Sequence, residues 1–154
     1  MLSKILIEMI ETHAEELTLA TLGDLRSSSF TPSYHRLASE KARNRVYTVY
    51  RDLGNWLADR TDSKIETTYR ELAERRYHEG FALSEVIWAL ILTKKTLLEY
   101  VRNSGLSDSA VELYRERELF HMLEDFFDRT IYFTAAGYEH EASLHVDALH
   151  ASAS

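Results

Sequence analysis

The chain has 154 residues, 45% of them hydrophobic and 28% charged, which is typical of one globular domain and excludes a disordered chain. Because the sequence contains no cysteine, disulfides, zinc–thiolate sites, iron–sulfur clusters and thiol nucleophiles are excluded as well. The formal net charge of −7 disfavours nucleic acid as a partner, since nonspecific nucleic-acid binding requires a positive field.

The first half of the chain predicts two helices. One proline and five glycines leave room for long helices throughout. The first helix is predicted over residues 2–22, where apolar residues recur at helical spacing, and it should end at Gly23. After a polar, serine-rich connection, a second helix should begin with Thr31 as its N-cap and Pro32 in its first turn, and run to about Arg60.

Two further helices follow with clear boundaries. The third is predicted to begin at Asp62 or Ser63, with Glu66 placed for a capping box, and to end at Gly80. The fourth, over residues 85–103, carries apolar side chains around most of its circumference. That pattern is typical of a helix at the centre of a bundle.

The last helix should begin near Ser107 or Asp108 and continue past His145, a length of about 35 residues or roughly 50 Å. Its apolar face spans roughly half of the circumference. We expect so small a domain to cover only part of this face, so that a symmetric dimer shields the remainder. The alternative is that the domain's own helices cover all of it. The predicted dimer interface consists of Leu119, Phe120, Leu123, Phe126, Phe127, Ile131, Phe133 and Tyr138.

Nothing in the sequence indicates a membrane protein. The N-terminal residues carry acids too early for a secretory signal, and the longest strongly apolar stretch, residues 86–92, is too short to span a bilayer. Five basic residues between Arg36 and Arg51 are interpreted as a solvated face rather than a binding patch. We therefore expect a cytoplasmic protein, with one helical domain over residues 1–150 and a frayed tail at residues 151–154.

The sequence predicts no catalytic residue and no metal site. Glu118 and His121 form one Glu-x-x-His pair, which di-iron bundles use twice, but His121 belongs to a polar face opposite the phenylalanines. His78 ends the third helix, where a cation suits the helix dipole. His145 is interpreted as a surface or frayed-end histidine, with a polar contact in the dimer interface or a weak pH sensor as the alternatives. Phosphate loops and nucleophile motifs are absent from the sequence, so we expect no enzyme and no cofactor, and no cofactor-binding residue is assigned.

Aromatic residues on three helices leave two interpretations open. Such residues either fill the core or enclose an apolar cavity for a small molecule. The residues concerned are Tyr47, Tyr50, Trp56, Tyr69, Tyr77, Trp88 and Tyr100.

Two runs of sequence resemble one family. Residues 69–90 combine a basic helix end, a Gly-hydrophobic-x-Leu-x-Glu-Val pattern from Gly80 and an apolar helix. Residues 126–139 open on aromatic-Asp and close on Gly-Tyr-Glu. Both resemble the N-terminal domains of RsbR-type stressosome proteins. The resemblance implies a globin-like helical fold without haem, dimerisation through the final helices and a sensory role, but no particular ligand. Such domains usually precede an output domain, so the chain is interpreted as a stand-alone regulator or an excised sensor.

The leading hypothesis is therefore an all-α, globin-like bundle of about five helices that acts as a non-enzymatic sensor. It would dimerise and transmit a signal through its long C-terminal helix to a downstream signalling protein. One alternative is a haem-binding globin-type sensor, for which His78 is the nearest candidate as proximal ligand. The other is a metal-carboxylate helical bundle enzyme.

Overall fold

The computed structural model describes residues 2–59, 61–103 and 110–153, and within these ranges every regular element is an α-helix. The all-α class and the long C-terminal helix are therefore confirmed. The helices are α1 (Leu2–Ser27), α2 (Pro32–His35), α3 (Ser39–Asp59), α4 (Asp62–His78), α5 (Leu83–Asn103) and α6 (Ala110–Ala153).

Helix α1 does not end at Gly23 but continues to Ser27. The reason is Leu25, which is 1% exposed and extends the buried stripe by another turn. Burying a leucine contributes about 1.5–3 kcal/mol, whereas a glycine inside a helix costs about 1 kcal/mol, so burial prevails. The helix is bent at His13, whose φ of −115° and ψ of 15° leave the helical region.

The predicted second helix is in fact two helices, because residues 36–38 separate α2 from α3. Pro32 does begin α2, but Thr31 provides no side-chain cap. Its hydroxyl donates to the Leu25 carbonyl instead, at 2.8 Å. The first turn of α2 is capped from another helix, since the Glu85 carboxylate accepts hydrogen bonds from the backbone N–H and hydroxyl of Ser33, at 2.7 and 2.6 Å.

Helix α4 has the predicted bounds but not the predicted cap. It begins at Asp62, while Glu66 forms an ion pair with Arg70 at 3.0 Å rather than a capping box. Gly80 lies just past the end of α4 with a φ of +84°, a left-handed conformation that glycine adopts without steric cost. Helix α5 lies within two residues of its predicted bounds.

The core forms where α6 packs against α4 and α5, and where α1 packs against α3 and α5. Helices α4 and α6 run in the same direction, since Asp62 at the start of α4 pairs with Arg129, and His78 at its end pairs with Glu141. Both pairs are 3.1 Å apart. The largest fully buried side chains include Tyr50, Tyr69, Phe126 and Phe127.

Helix α6 is longer than predicted. Its predicted start near Ser107 or Asp108 lies outside the described residues, and its 44 described residues correspond to about 66 Å. The helix continues through Ala153, so residues 151–153, which were expected to fray, are helical. No helix in the described ranges combines the length and apolar character that crossing a bilayer requires.

Candidate functional site

The predicted dimer interface lies mostly inside the subunit. Leu119, Leu123, Phe126, Phe127 and Tyr138 are at most 7% exposed, and the other three residues are partly buried against the core. The domain's own helices therefore cover this face, as in the alternative to coverage by a second copy that the sequence left open. The expected excess of apolar surface is not found there, so this face does not itself require a second copy, and dimerisation stays a prediction.

Helices α3, α4 and α5 each contribute to that cover. The ring of Phe126 contacts Trp56 of α3 and Tyr69 of α4, with centroids 5.8 and 6.2 Å apart. The three partly buried residues include Phe120 and Phe133, whose rings lie beneath guanidinium groups of α5 and α4 at 5.7 and 5.8 Å. A helical wheel of α6 alone shows the apolar face but not how many neighbours it meets.

The exposed apolar surface of α6 lies further along the helix. We call residues 142–153 the projecting segment: each of them is exposed, and together they extend about 18 Å. Val146 and Leu149 are 47% and 55% exposed. With Ala142 and Ala153 they repeat at spacings of four, three and four residues, which is the seam pattern of a coiled coil.

The projecting segment begins where α6 leaves the α4–α5 corner, the turn formed by residues 79–82. The Tyr138 hydroxyl donates to the Phe81 carbonyl at 2.9 Å, and the Tyr138 ring packs edge-on against Tyr77 with centroids 5.8 Å apart. The Phe81 ring in turn meets the ring of Tyr34 edge-on at 5.0 Å. Helices α2, α4 and α6 are thus joined at this corner.

Two arginines share one carboxylate beside the corner. Arg45 of α3 and Arg76 of α4 donate to the two oxygens of Glu79, at 2.5 and 3.0 Å. Partial burial opposes ionisation of Glu79, but the hydrogen bond from Arg45 and the positive charges outweigh it and lower the pKa of Glu79. Arg45 also lies over the Phe81 ring, 5.4 Å from its centroid.

Arg45 was expected on a solvated face, and this expectation is wrong. Its side chain is 12% exposed, and its Nη1 atom is buried without a hydrogen-bond partner among the described residues. Arg76 is 7% exposed. The burial of these two guanidinium groups depends on how α3 and α4 meet at the corner, and the spacing of basic residues along one helix does not reveal it. The available sequence signal was Glu79, an acid beside the basic end of α4.

A small cavity lies next to this polar cluster, between α3, α4 and α5. Its volume is about 30 Å³, and Tyr34, Arg45 and Arg76 line it together with aliphatic side chains. This volume accommodates one or two water molecules, whereas small-molecule sites enclose roughly 300–1,000 Å³. Burial raises the pKa of Tyr34 to about 12, so its phenol stays a neutral hydrogen-bonding group.

The predicted aromatic residues do not surround this cavity. Tyr47 and Tyr50 instead line a groove of about 260 Å³ between α1 and α3. Within the core, the Tyr50 hydroxyl lies 2.8 Å from the Thr21 hydroxyl, which joins α3 to α1. Trp56 and Tyr69 pack against Phe126, which is the core-filling role weighed for these residues.

The histidines lie away from the cavity. The His78 side chain is 64% exposed and lies 3.1 Å from the Glu141 carboxylate, so it does not fit the role of a haem ligand inside the bundle. His121 is exposed and Glu118 partly exposed, as expected for a solvated face. In the described part of the chain, the carboxylates and imidazole that converge within metal-binding distance belong to Glu74, His78 and Glu141.

Comparisons of the chain with protein-family models, with curated proteins and with solved structures find no match in any of the three. The resemblance to RsbR-type domains is therefore carried by the two sequence runs alone, and the globin-like arrangement stays a prediction. Function is accordingly inferred from the geometry of α6 and of the α4–α5 corner.

Proposed function

We propose that this chain is a non-enzymatic regulatory domain that transmits a signal through α6 to a second copy of itself and onward to a downstream protein. The observation that carries this proposal is the projecting segment, a fully exposed helical extension with an apolar seam. The resemblance to RsbR-type sensor domains supports the same role, in the cytoplasm and in stressosome-type signalling.

The seam supports a second copy of the chain as the occupant. Val146 takes the a position and Leu149 the d position of a heptad. A β-branched residue at a with leucine at d favours a parallel coiled coil of two helices. Twelve residues of isolated helix are marginal in water, so pairing would stabilise this segment. The described part of the seam carries two large side chains per copy, Val146 and Leu149, and from these we expect a weak dimer whose population depends on concentration.

The α4–α5 corner provides the connection between the bundle and this seam. Tyr138 is hydrogen-bonded to the corner and stands one turn before Ala142, where the projecting segment begins. The corner also holds the arginine pair beside the small cavity. A ligand or partner that favours another arrangement of the corner would shift α6, and with it the direction of the projecting segment.

The test is the subunit count measured by analytical ultracentrifugation over a range of concentrations. We expect the wild-type chain to change from monomer to dimer with increasing concentration, and V146D and L149D to stay monomeric. Leu144 is the matched control, since it is 48% exposed but lies on the opposite side of α6. L144D should dimerise like the wild type.

A wild-type chain that stays monomeric at the highest concentration would overturn the self-association proposed here. So would equal loss of dimers in L144D and V146D, because the seam would then have no special role. We expect all three variants to fold, so that their subunit counts can be compared with that of the wild type, because the three substituted residues are exposed and make no contribution to the core.

A further inference from the structure

Three metal-ligating side chains meet where α6 leaves the bundle. Glu74 and His78 are four residues apart on α4 and therefore share one face of that helix. Glu141 reaches them from α6, with its Oε2 3.1 Å from Nε2 of His78. One ligand atom from each of the three residues lies within 4.8 Å of the others.

The charges around this group are unbalanced. Glu141 is held with its side chain only 12% exposed, and His78 is its ion-pair partner among the described residues. Glu74 takes part in no ion pair with a described lysine or arginine. Among the described residues, His78 when protonated is thus the one positive charge that forms an ion pair with either of these two carboxylates, and a divalent cation would compensate for the remaining negative charge.

The donor set selects a class of metal. One imidazole nitrogen and two carboxylate oxygens suit Zn²⁺ and its first-row neighbours, whereas Mg²⁺ and Ca²⁺ prefer oxygen alone. Ligand atoms around a tetrahedral Zn²⁺ lie about 3.3 Å apart at bond lengths of about 2.0–2.1 Å. The His78–Glu141 pair already has nearly this separation, and the exposed Glu74 side chain is free to rotate towards it.

We propose that Glu74, His78 and Glu141 form a surface site for Zn²⁺ or a similar divalent transition metal, with water completing the coordination. The metal would join the end of α4 to α6 immediately before the projecting segment. This site is separate from the Glu118–His121 pair considered from the sequence. It was missed there because Glu141 is 63 residues from His78 along the chain.

Isothermal titration of the full chain with ZnCl₂ tests this proposal and does not depend on whether the chain dimerises. We expect one Zn²⁺ per chain, and at least a tenfold weaker affinity in H78A and in E141Q. His140 is the matched control, because it is an exposed histidine adjacent to Glu141 that points about 100° away around α6. H140A should bind as tightly as the wild type.

Three outcomes would overturn the site. The first is the absence of Zn²⁺ binding by the wild-type chain. The second is wild-type affinity in both H78A and E141Q, and the third is an equal loss in H140A; either of these would place the metal elsewhere. Circular dichroism of each variant, compared with the wild type, verifies that the helices are intact.

Discussion

Helices α4 and α6 approach each other closely at Gly137, and substitution of this residue tests the packing directly. A Cβ atom added at Gly137 would lie 2.5 Å from the Cβ of Ala73 and 3.3 Å from the backbone of Arg70. Ala73 is fully buried, and its Cβ has no rotamer that could relieve the clash. To restore an ordinary contact of about 3.5–4.0 Å, the two helices must move apart by more than about 1 Å.

The expected effect of G137A follows from two opposing contributions. Overpacking of a close-packed core costs about 1–3 kcal/mol, and we expect the upper end because rigid helix backbones are involved. Replacing glycine by alanine inside a helix stabilises the folded chain by about 1 kcal/mol, because alanine has the higher helix propensity. The net loss in the free energy of unfolding is therefore about 2 kcal/mol, or roughly 4–8 °C in melting temperature for a chain of this size.

Gly54 is the matched control, since it also lies inside a helix but has no atom within 4 Å of an added Cβ. G54A should gain up to about 1 kcal/mol, the helix-propensity term without the clash. Urea unfolding followed by circular dichroism measures the free energy of unfolding of both variants. If G137A were as stable as the wild type, or gained stability as G54A should, then α4 and α6 would not approach as closely as described.

Two further substitutions examine the α4–α5 corner. Y138F removes the hydrogen bond to the Phe81 carbonyl and should lower the free energy of unfolding, measured in urea, by about 1 kcal/mol. Y132F is the control and should leave the stability unchanged, because Tyr132 is 65% exposed. Equal stability of the two variants would contradict the hydrogen bond. E79Q should cost about 1 kcal/mol at neutral pH because it removes the charge that both arginines share. Since the pKa of Glu79 is lower in the folded state than its ordinary value of 4.5, the stabilisation is present above pH 4.5 and is lost as the pH falls through the folded-state value. Unfolding curves of wild type and E79Q should therefore converge in acid, and a difference that persisted there would refute the charge explanation.

Local chemistry was sufficient to predict several helix boundaries. Gly80 ends α4 because glycine adopts the left-handed backbone conformation without steric cost. Pro32 starts a helix because its missing N–H would be unpaired there in any case. At Gly23 the same rule predicts a helix end that the structure does not have. The same residue type did not end α1, because Leu25 just beyond it is buried by other helices.

The candidate site was less accessible to sequence reasoning than the helices were. The apolar pattern of α6 was recognised, but Phe126 and Phe127 were assigned to an interface, while the exposed Val146 and Leu149 were not singled out. Whether an apolar residue is covered depends on the partners that surround it, and a helical wheel has no information about those partners.

Helix formation in this chain depends on near neighbours along the backbone: the composition, the apolar spacing and a few glycine and proline positions already indicate an all-α bundle with a long final helix. The burial of Arg45, the contact of Gly137 with Ala73 and the meeting of His78 with Glu141 were decided only by tertiary packing. Each of them joins residues far apart in sequence, and their proximity depends on how whole helices pack together, which spacing along a single helix does not encode.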